Sequence, residues 1–283
     1  MNLKEKDIVL VGAGGKMGTR ISANLIKHGY DFIGCEGNEA ARKIISERGI
    51  KVEDTETAVK DADLVIFALP DALIPRLSER YVPLMKPNAT AVILDPAAAY
   101  AGELKTRNDC TFVVVHPCHP ELFGDFKTKE EQDDMFGGIA ATQDIVIALL
   151  SGSEDLFLSA EKVCCDMFSP VGTSHRITVE QMALLEPAAA EVVIAAMATV
   201  MKEALDEVVK RGVPEAAAKA FLLGHTRIPL AIVFKNSNPF SDAALKAIEY
   251  GKKNILRDDW KKVFEDEAIR DVLNDMLFQE KEM

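Results

Sequence analysis

Basic residues are scarce in this chain: 33 Lys and Arg stand against 45 Asp and Glu in 283 residues, a net charge of -12. Phosphate backbones require a basic surface, so nucleic acid is excluded as a partner. The same charge repels anionic small molecules at long range, and a carboxylate substrate has to be caught by local positive groups. Cysteine is also sparse. Five residues, an odd number at irregular spacing, give no disulfide framework and fit a reducing cytoplasm. The charged opening from Met1 to Asp7 leads straight into an apolar strand and leaves no room for a signal peptide. The most apolar stretch, Pro187 to Met201, contains Glu191 and falls short of the ~20 residues that span a bilayer, so no membrane is expected as a partner. No internal repeat or low-complexity segment is present. The remainder, 48% hydrophobic and 28% charged, is ordinary globular composition, long enough for two domains with a core each.

The chain is organised around Ile8-Val9-Leu10-Val11 and the turn Gly12-Ala13-Gly14-Gly15-Lys16-Met17-Gly18. Met17 to His28 then reads as a helix, with Ile21, Leu25 and Ile26 on one side. Strand, glycine turn and helix in this order are the context in which a glycine cluster binds a dinucleotide. Glycines let the backbone approach a pyrophosphate, which sits at the positive end of the helix. The spacing is irregular: Gly12, Gly14 and Gly18 leave one residue too many in the second gap. The register Ala13, Gly15, Gly18 has the right gaps but alanine first. An ordinary strand-to-helix turn is the competing reading. Gly12, Gly14, Gly15, Lys16, Met17 and Gly18 are the candidate cofactor contacts.

Asp31 to Cys35 reads as a second strand ending at Glu36, eighteen positions after Gly18. An acidic residue at such a place holds the ribose hydroxyls of NAD and repels the additional phosphate of NADP, which favours NAD. A solvated glutamate at a strand end is the alternative. Asp63 to Leu69 is a continuous apolar run suited to a strand buried on both faces. Its end, Leu69-Pro70-Asp71, should border the nicotinamide ribose. Further strands over Ala91–Leu94 and Phe112–Val115 end in Asp95-Pro96 and in His116-Pro117-Cys118-His119-Pro120. Alternating strands and helices predict an α/β fold, a Rossmann-like doubly wound and mostly parallel sheet.

The histidine pentapeptide lies at the expected ligand-binding edge. Proline restricts the residue before it, so both His116 and His119 are expected to be extended and rigidly aimed, as a metal ligand or catalytic imidazole requires. A strand-end histidine can also simply hydrogen-bond a loop carbonyl, and Cys118 can be a small apolar group. The spacing is not that of a structural zinc site.

After Ile177 only helical patterns remain, which predicts a dinucleotide-binding domain over 1–176 and a helical domain over 177–283. Thr178 and Gln181 form a capping box opening a long helix. Ala188 to Met201 is apolar nearly all round, as at the centre of a helical domain or at a subunit interface, and a homodimer is expected. Glu186 directly precedes Pro187. It is a metal ligand or general base facing the cofactor cleft, or else the helix begins at Pro187 and Glu186 favours its N-terminal dipole. Farther on, His225 and Arg227 could reach the cleft.

A glycine turn of the NAD type, a strand ending in Leu94-Asp95-Pro96-Ala97-Ala98-Ala99, the His116–Pro120 strand end and Leu184-Leu185-Glu186-Pro187 together resemble the D-apionate oxidoisomerases. These belong to the superfamily of β-hydroxyacid dehydrogenases and ketol-acid reductoisomerases. The likeness spans essentially the whole chain. Ordinary β-hydroxyacid dehydrogenases carry a catalytic lysine on the long helix, and no lysine lies between Arg176 and Lys202. The resemblance implies oxidation of a branched sugar acid at C2 by NAD, with migration of a hydroxymethyl group from C3 to C2. It also implies a divalent cation, zinc or manganese, with His116 and Glu186 as ligands and His119 as the base, Glu186 itself being a further candidate for the base. Two other functions use the same fold: an NAD-dependent 2- or 3-hydroxy acid dehydrogenase without migration, and a non-enzymatic NAD sensor.

Overall fold

The computed structural model describes residues 7–278. Its first half alternates strands and helices in the expected order. Strand β1 (Ile8–Val11) runs through the glycine turn into α1 (Lys16–Lys27), then β2 (Phe32–Cys35), α2 (Glu39–Glu47), the short β3 (Lys51–Val52) and α3 (Thr55–Ala58). Next come β4 (Leu64–Phe67), α4 (Ile74–Tyr81), β5 (Thr90–Ile93), α5 (Ala97–Ala101), β6 (Thr111–Pro117) and α6 (Lys129–Asp133). The sheet is completed by β7 (Gln143–Ser151) and, after α7 (Glu154–Met167), by β8 (Val171–Arg176).

The eight strands lie in the order β3-β2-β1-β4-β5-β6-β7-β8. Strands β1 to β6 are parallel, with Ile8 opposite both Phe32 and Leu64. Strand β7 turns back antiparallel on β6, and β8 follows β7 in parallel. The order reverses at β1, the place where doubly wound sheets bind ligands. One edge therefore collects the residues that follow β1, β2, β4, β5 and β6.

The apolar runs that predicted these strands are the core. Ile8, Leu10, Leu64, Ile66, Val113, Ile145 and Ile147 are all at most 2% exposed, and Ile21 and Leu25 of α1 and Phe157 of α7 pack on them. Each such side chain contributes on the order of 1.5–3 kcal/mol of burial. On the opposite face Val114 and Ala148 meet Val179 and Met182. Those two residues belong to α8 (Val179–Ala183), opened by the predicted capping box of Thr178 and Gln181. The sheet thus fixes where the long helix starts.

By its contacts the chain forms two units, 1–185 with 270–283, and 186–269. The last strand ends at Arg176, where the alternation read from the sequence stops; the first unit continues through α8 and takes up most of the final helix, α12 (Asp266–Leu277).

Beyond α8 the helix does not start afresh at Pro187. It continues through Leu184–Ala195 in a widened π register and then as α9 (Ala196–Lys210). Proline has no N–H to give to the α-helical carbonyl four residues back, and a wider turn accommodates that missing bond. Glu186 therefore lies inside a helix, and the reading in which it only flanks a helix start is corrected.

The second unit holds α9, α10 (Glu215–Lys235), α11 (Asp242–Ile255) and a 3-10 turn over Trp260–Phe264. Helices α9 and α10 pack on each other, burying Leu205 and Ala218. The expectation that Ala188–Met201 occupies the centre of a helical domain does not hold within one chain: Ile194 is 66% and Met201 46% exposed. Two helical stretches, Val179–Lys210 and Glu215–Lys235, are by length and composition apolar enough to cross a membrane. The sequence reading underestimated the first because it stopped the apolar run at Pro187.

Candidate active site

The glycine turn is tightly determined. Gly12 has φ +83°, and a Cβ there would stand 2.2 Å from the Ala68 carbonyl oxygen at the end of β4. A Cβ on Gly18 would stand 2.1 Å from the Gly12 oxygen, so Gly18 lets α1 pack against the turn. Gly14 closely faces Ala41 and Glu36, whereas Gly15 is comparatively open. Helix α1 has no side-chain cap and no acidic residue in its first turn. Its first N–H groups, including those of Lys16 and Met17, thus present a positive end suited to an anion.

Glu36 closes one side of this turn. Its carboxylate accepts the Gly14 N–H at 3.1 Å and the Gly37 N–H at 2.8 Å, while the Arg42 side chain binds its backbone carbonyl at 2.7 Å. The group is fixed beside the turn rather than loosely solvated. Leu69, Pro70 and Asp71 follow β4 on the same edge, and Asp71 opens a 3-10 turn. Burial raises the Asp71 carboxyl above the usual carboxylate range.

His116 and His119 lie at the end of β6 with ring centroids 6.3 Å apart and planes nearly perpendicular. His116 Nδ1 is 2.9 Å from the Leu94 carbonyl oxygen. A carbonyl only accepts, so Nδ1 carries the proton and Nε2 is the nitrogen that keeps the basic lone pair. Burial, reinforced by the nearby His119, pushes His116 down to about 4, against the opposing Leu94 hydrogen bond. The ring is therefore neutral near pH 7, the form that binds metals. Asp95 Oδ2 lies 3.9 Å from its Nδ1, and the other Asp95 oxygen accepts the Ala97 N–H at 2.7 Å.

His119 departs from expectation. It has φ +61°, in the left-handed region, so the following proline does not hold it extended. Proline disfavours the right-handed helical region for its predecessor, which leaves more than one alternative. The ring is aimed instead by a hydrogen bond from Nδ1 to the Phe136 carbonyl oxygen at 2.9 Å. Cys118 is exposed rather than a buried apolar group.

Glu186 is half-buried in the π-register helix at the first residue of the second unit. His225 and Arg227 lie within α10 of that unit. Two contributors to the histidine end of the sheet were not singled out from the sequence. Asp95 was visible as a strand end, and its register beside β6 marks it in hindsight. Phe136 contributes a backbone carbonyl, for which no sequence signal exists.

Two family models divide the chain between them. The NADPH-binding domain of acetohydroxy acid isomeroreductase matches residues 2–123, and the C-terminal domain of phosphogluconate dehydrogenase (decarboxylating) matches 124–277. A D-apionate oxidoisomerase of Pectobacterium atrosepticum is 45% identical over 273 residues, 96% of each chain. The one of Blautia hydrogenotrophica is 43% identical over 280 residues, 97% of each. A solved semialdehyde dehydrogenase NAD-binding protein of Cupriavidus necator, in complex with calcium and NAD, superposes with a TM-score of 0.92 at 43% identity, covering 96% of this chain and 99% of its own. With such similarity along nearly its whole length, the chain belongs to the D-apionate oxidoisomerase family, within the superfamily of hydroxyacid dehydrogenases and ketol-acid reductoisomerases.

Proposed function

We propose that this chain oxidises D-apionate, a branched sugar acid, at C2 with NAD and shifts its hydroxymethyl group from C3 to C2, giving 3-oxo-isoapionate. The observation that carries this reading is the meeting, on one sheet edge, of the glycine turn with Glu36 and the paired imidazoles of His116 and His119. The relatives named D-apionate oxidoisomerase and the NAD-bound Cupriavidus necator structure support it.

The turn fits NAD: its glycines leave space that side chains would fill, and α1 offers its uncapped N-terminus to the pyrophosphate. NAD supplies the hydride acceptor. His119, with its proton on Nδ1, offers Nε2 as the base that takes the C2 hydroxyl proton while hydride leaves C2. The resulting 2-oxo acid keeps a tertiary hydroxyl on C3. Loss of that proton turns C3 into a ketone, the hydroxymethyl group moves to C2 with its bonding pair, and the C2 oxygen takes up a proton. Atoms and electrons balance, with NADH and one proton as co-products.

Asp95 and His116 of the first unit would supply ligands to a divalent cation, and Glu186 is the further carboxylate that the family resemblance implies. Two carboxylates and a neutral imidazole suit zinc or manganese, and the calcium of the Cupriavidus necator structure supports a divalent site in the family. Such a cation supplies Lewis-acid polarisation of adjacent substrate oxygens. The five unpaired cysteines and the acidic surface support a cytoplasmic enzyme acting on a small molecule, and the exposed apolar helices of the second unit support a homodimer.

The test uses purified protein with NAD and D-apionate. His116→Ala and Glu186→Gln should each abolish turnover, a loss of at least about 10³-fold, while NAD binding stays nearly intact. Chelation should inhibit, with activity restored by added metal. Full activity in a metal-free preparation would sink the cation, and an unrearranged 2-oxo product would leave an ordinary hydroxyacid dehydrogenase.

A further inference from the structure

We propose that Arg20, on the helix that leaves the glycine turn, is a positioning residue for the His119 imidazole. It would act through the loop over residues 134–141. This rests on the assignment of His119 as the base.

His119 is exposed and sits in a left-handed backbone conformation, so its ring needs an external anchor. That anchor is the Phe136 carbonyl, 2.9 Å from Nδ1, with the Phe136 ring edge-on at 6.0 Å. A backbone carbonyl is only as well placed as its loop. The loop is held from its start by Asp134, whose Oδ2 accepts three backbone N–H groups, from Ile139, Ala140 and Ala141, at 2.9–3.2 Å. Asp134 is 6% exposed, so its charge calls for a cationic partner.

Arg20 is that partner and does more than neutralise it. One guanidinium nitrogen reaches Asp134 Oδ1 at 3.5 Å and also donates to the Gly137 carbonyl oxygen. The guanidinium carbon lies 5.4 Å from the centre of the Phe136 ring. Arg20 therefore touches Asp134, two residues before Phe136, Gly137 directly after it, and the Phe136 ring itself. Asn24, one turn farther along the same face of α1, donates to the Gly138 carbonyl oxygen at 3.0 Å. The loop is thus mounted on the helix whose N-terminus follows the cofactor turn. A planar fork that can pair, donate and stack at once is specific to arginine, and lysine offers only a point charge.

The consequence is chemical. The Phe136 carbonyl accepts only from a protonated Nδ1, and this keeps Nε2 as the basic atom. Without Arg20 the carbonyl loses its fixed position and the ring can populate the other tautomer, which carries its proton where the substrate proton should go.

The experiment compares wild type, Arg20→Lys, Arg20→Met and His119→Ala, in the presence of NAD. Imidazole nitrogen–proton correlation spectra report the tautomer, with the His119 signals identified by their absence in His119→Ala. Wild type should show the Nδ1–H form, Arg20→Met a mixture, and Arg20→Lys an intermediate state. In parallel kcat should fall about ten- to hundredfold in Arg20→Met and less in Arg20→Lys, while NAD affinity and KM change by no more than about twofold. An unchanged tautomer or an unchanged kcat in Arg20→Met overturns the proposal. So does a fall in NAD affinity that accounts for the whole loss, since that places Arg20 at the cofactor. If His119→Ala keeps full activity, the base assignment itself fails and this inference with it; if only the Arg20 variants are silent, the base stands and Arg20 does not position it.

Discussion

Glu36 shows how much one carboxylate can decide. Its two oxygens are already committed to the Gly14 and Gly37 amides, which hold it where a ribose would lie against the turn. A negative group fixed there repels a 2′-phosphate. Glu36→Ala should weaken NAD about tenfold, the scale of a lost charge-assisted hydrogen bond, and should narrow the preference over NADP. Fluorescence titration with both nucleotides checks this, and NADP binding as tightly as NAD in the unaltered protein would remove Glu36 from the role. The neighbouring histidines illustrate the opposite case. Their identity and strand-end position were readable, but the atom each presents was not, because the Leu94 and Phe136 carbonyls that fix the tautomers come from distant segments.

Among the elements, the turn between β1 and α1 is the most constrained. Gly18 and Gly12 touch backbone to backbone, so a methyl group on Gly18 has no flexible neighbour to displace. Gly18→Ala should push α1 off the turn, lowering the melting temperature by several degrees and NAD affinity at least about tenfold. Gly15→Ala is the control, because the nearest atom to its added carbon, the Gly12 oxygen, is 3.4 Å away. It should melt within about a degree of wild type. Calorimetry with and without NAD distinguishes the two, and equal behaviour would show that close packing at Gly18 does not matter. The long helix is a second lesson. Its capping box and its proline were legible, yet the π register that carries the helix past Pro187 was not.

At the scale of the whole molecule, the second unit exposes several large apolar side chains. Ile194, Phe221, Leu223, Ile228, Val233 and Phe234 are each 56–70% exposed. Patches of this kind mark interfaces, and the proposal of a homodimer gives them a partner with the same need. Light scattering at micromolar concentration should report about twice 31.0 kDa. A monomer would count against the dimer, and partition into vesicles without detergent would point to the membrane reading that the two long helices also permit by composition.

Hydrophobic periodicity and glycine and proline chemistry are local properties, and they made the first strand, the glycine turn, the helical second half and the strand ends that carry Glu36, Asp95 and His116 readable from the chain alone. What those strand ends touch follows only from how the strands and loops pack. Parallel pairing brings the ends of β1, β2, β4, β5 and β6 to one edge, and a loop mounted on α1 supplies the carbonyl that aims His119. Those contacts join residues from 17 to 114 positions apart. Their register is set by which side chains fill the common core, and no short stretch of sequence records it.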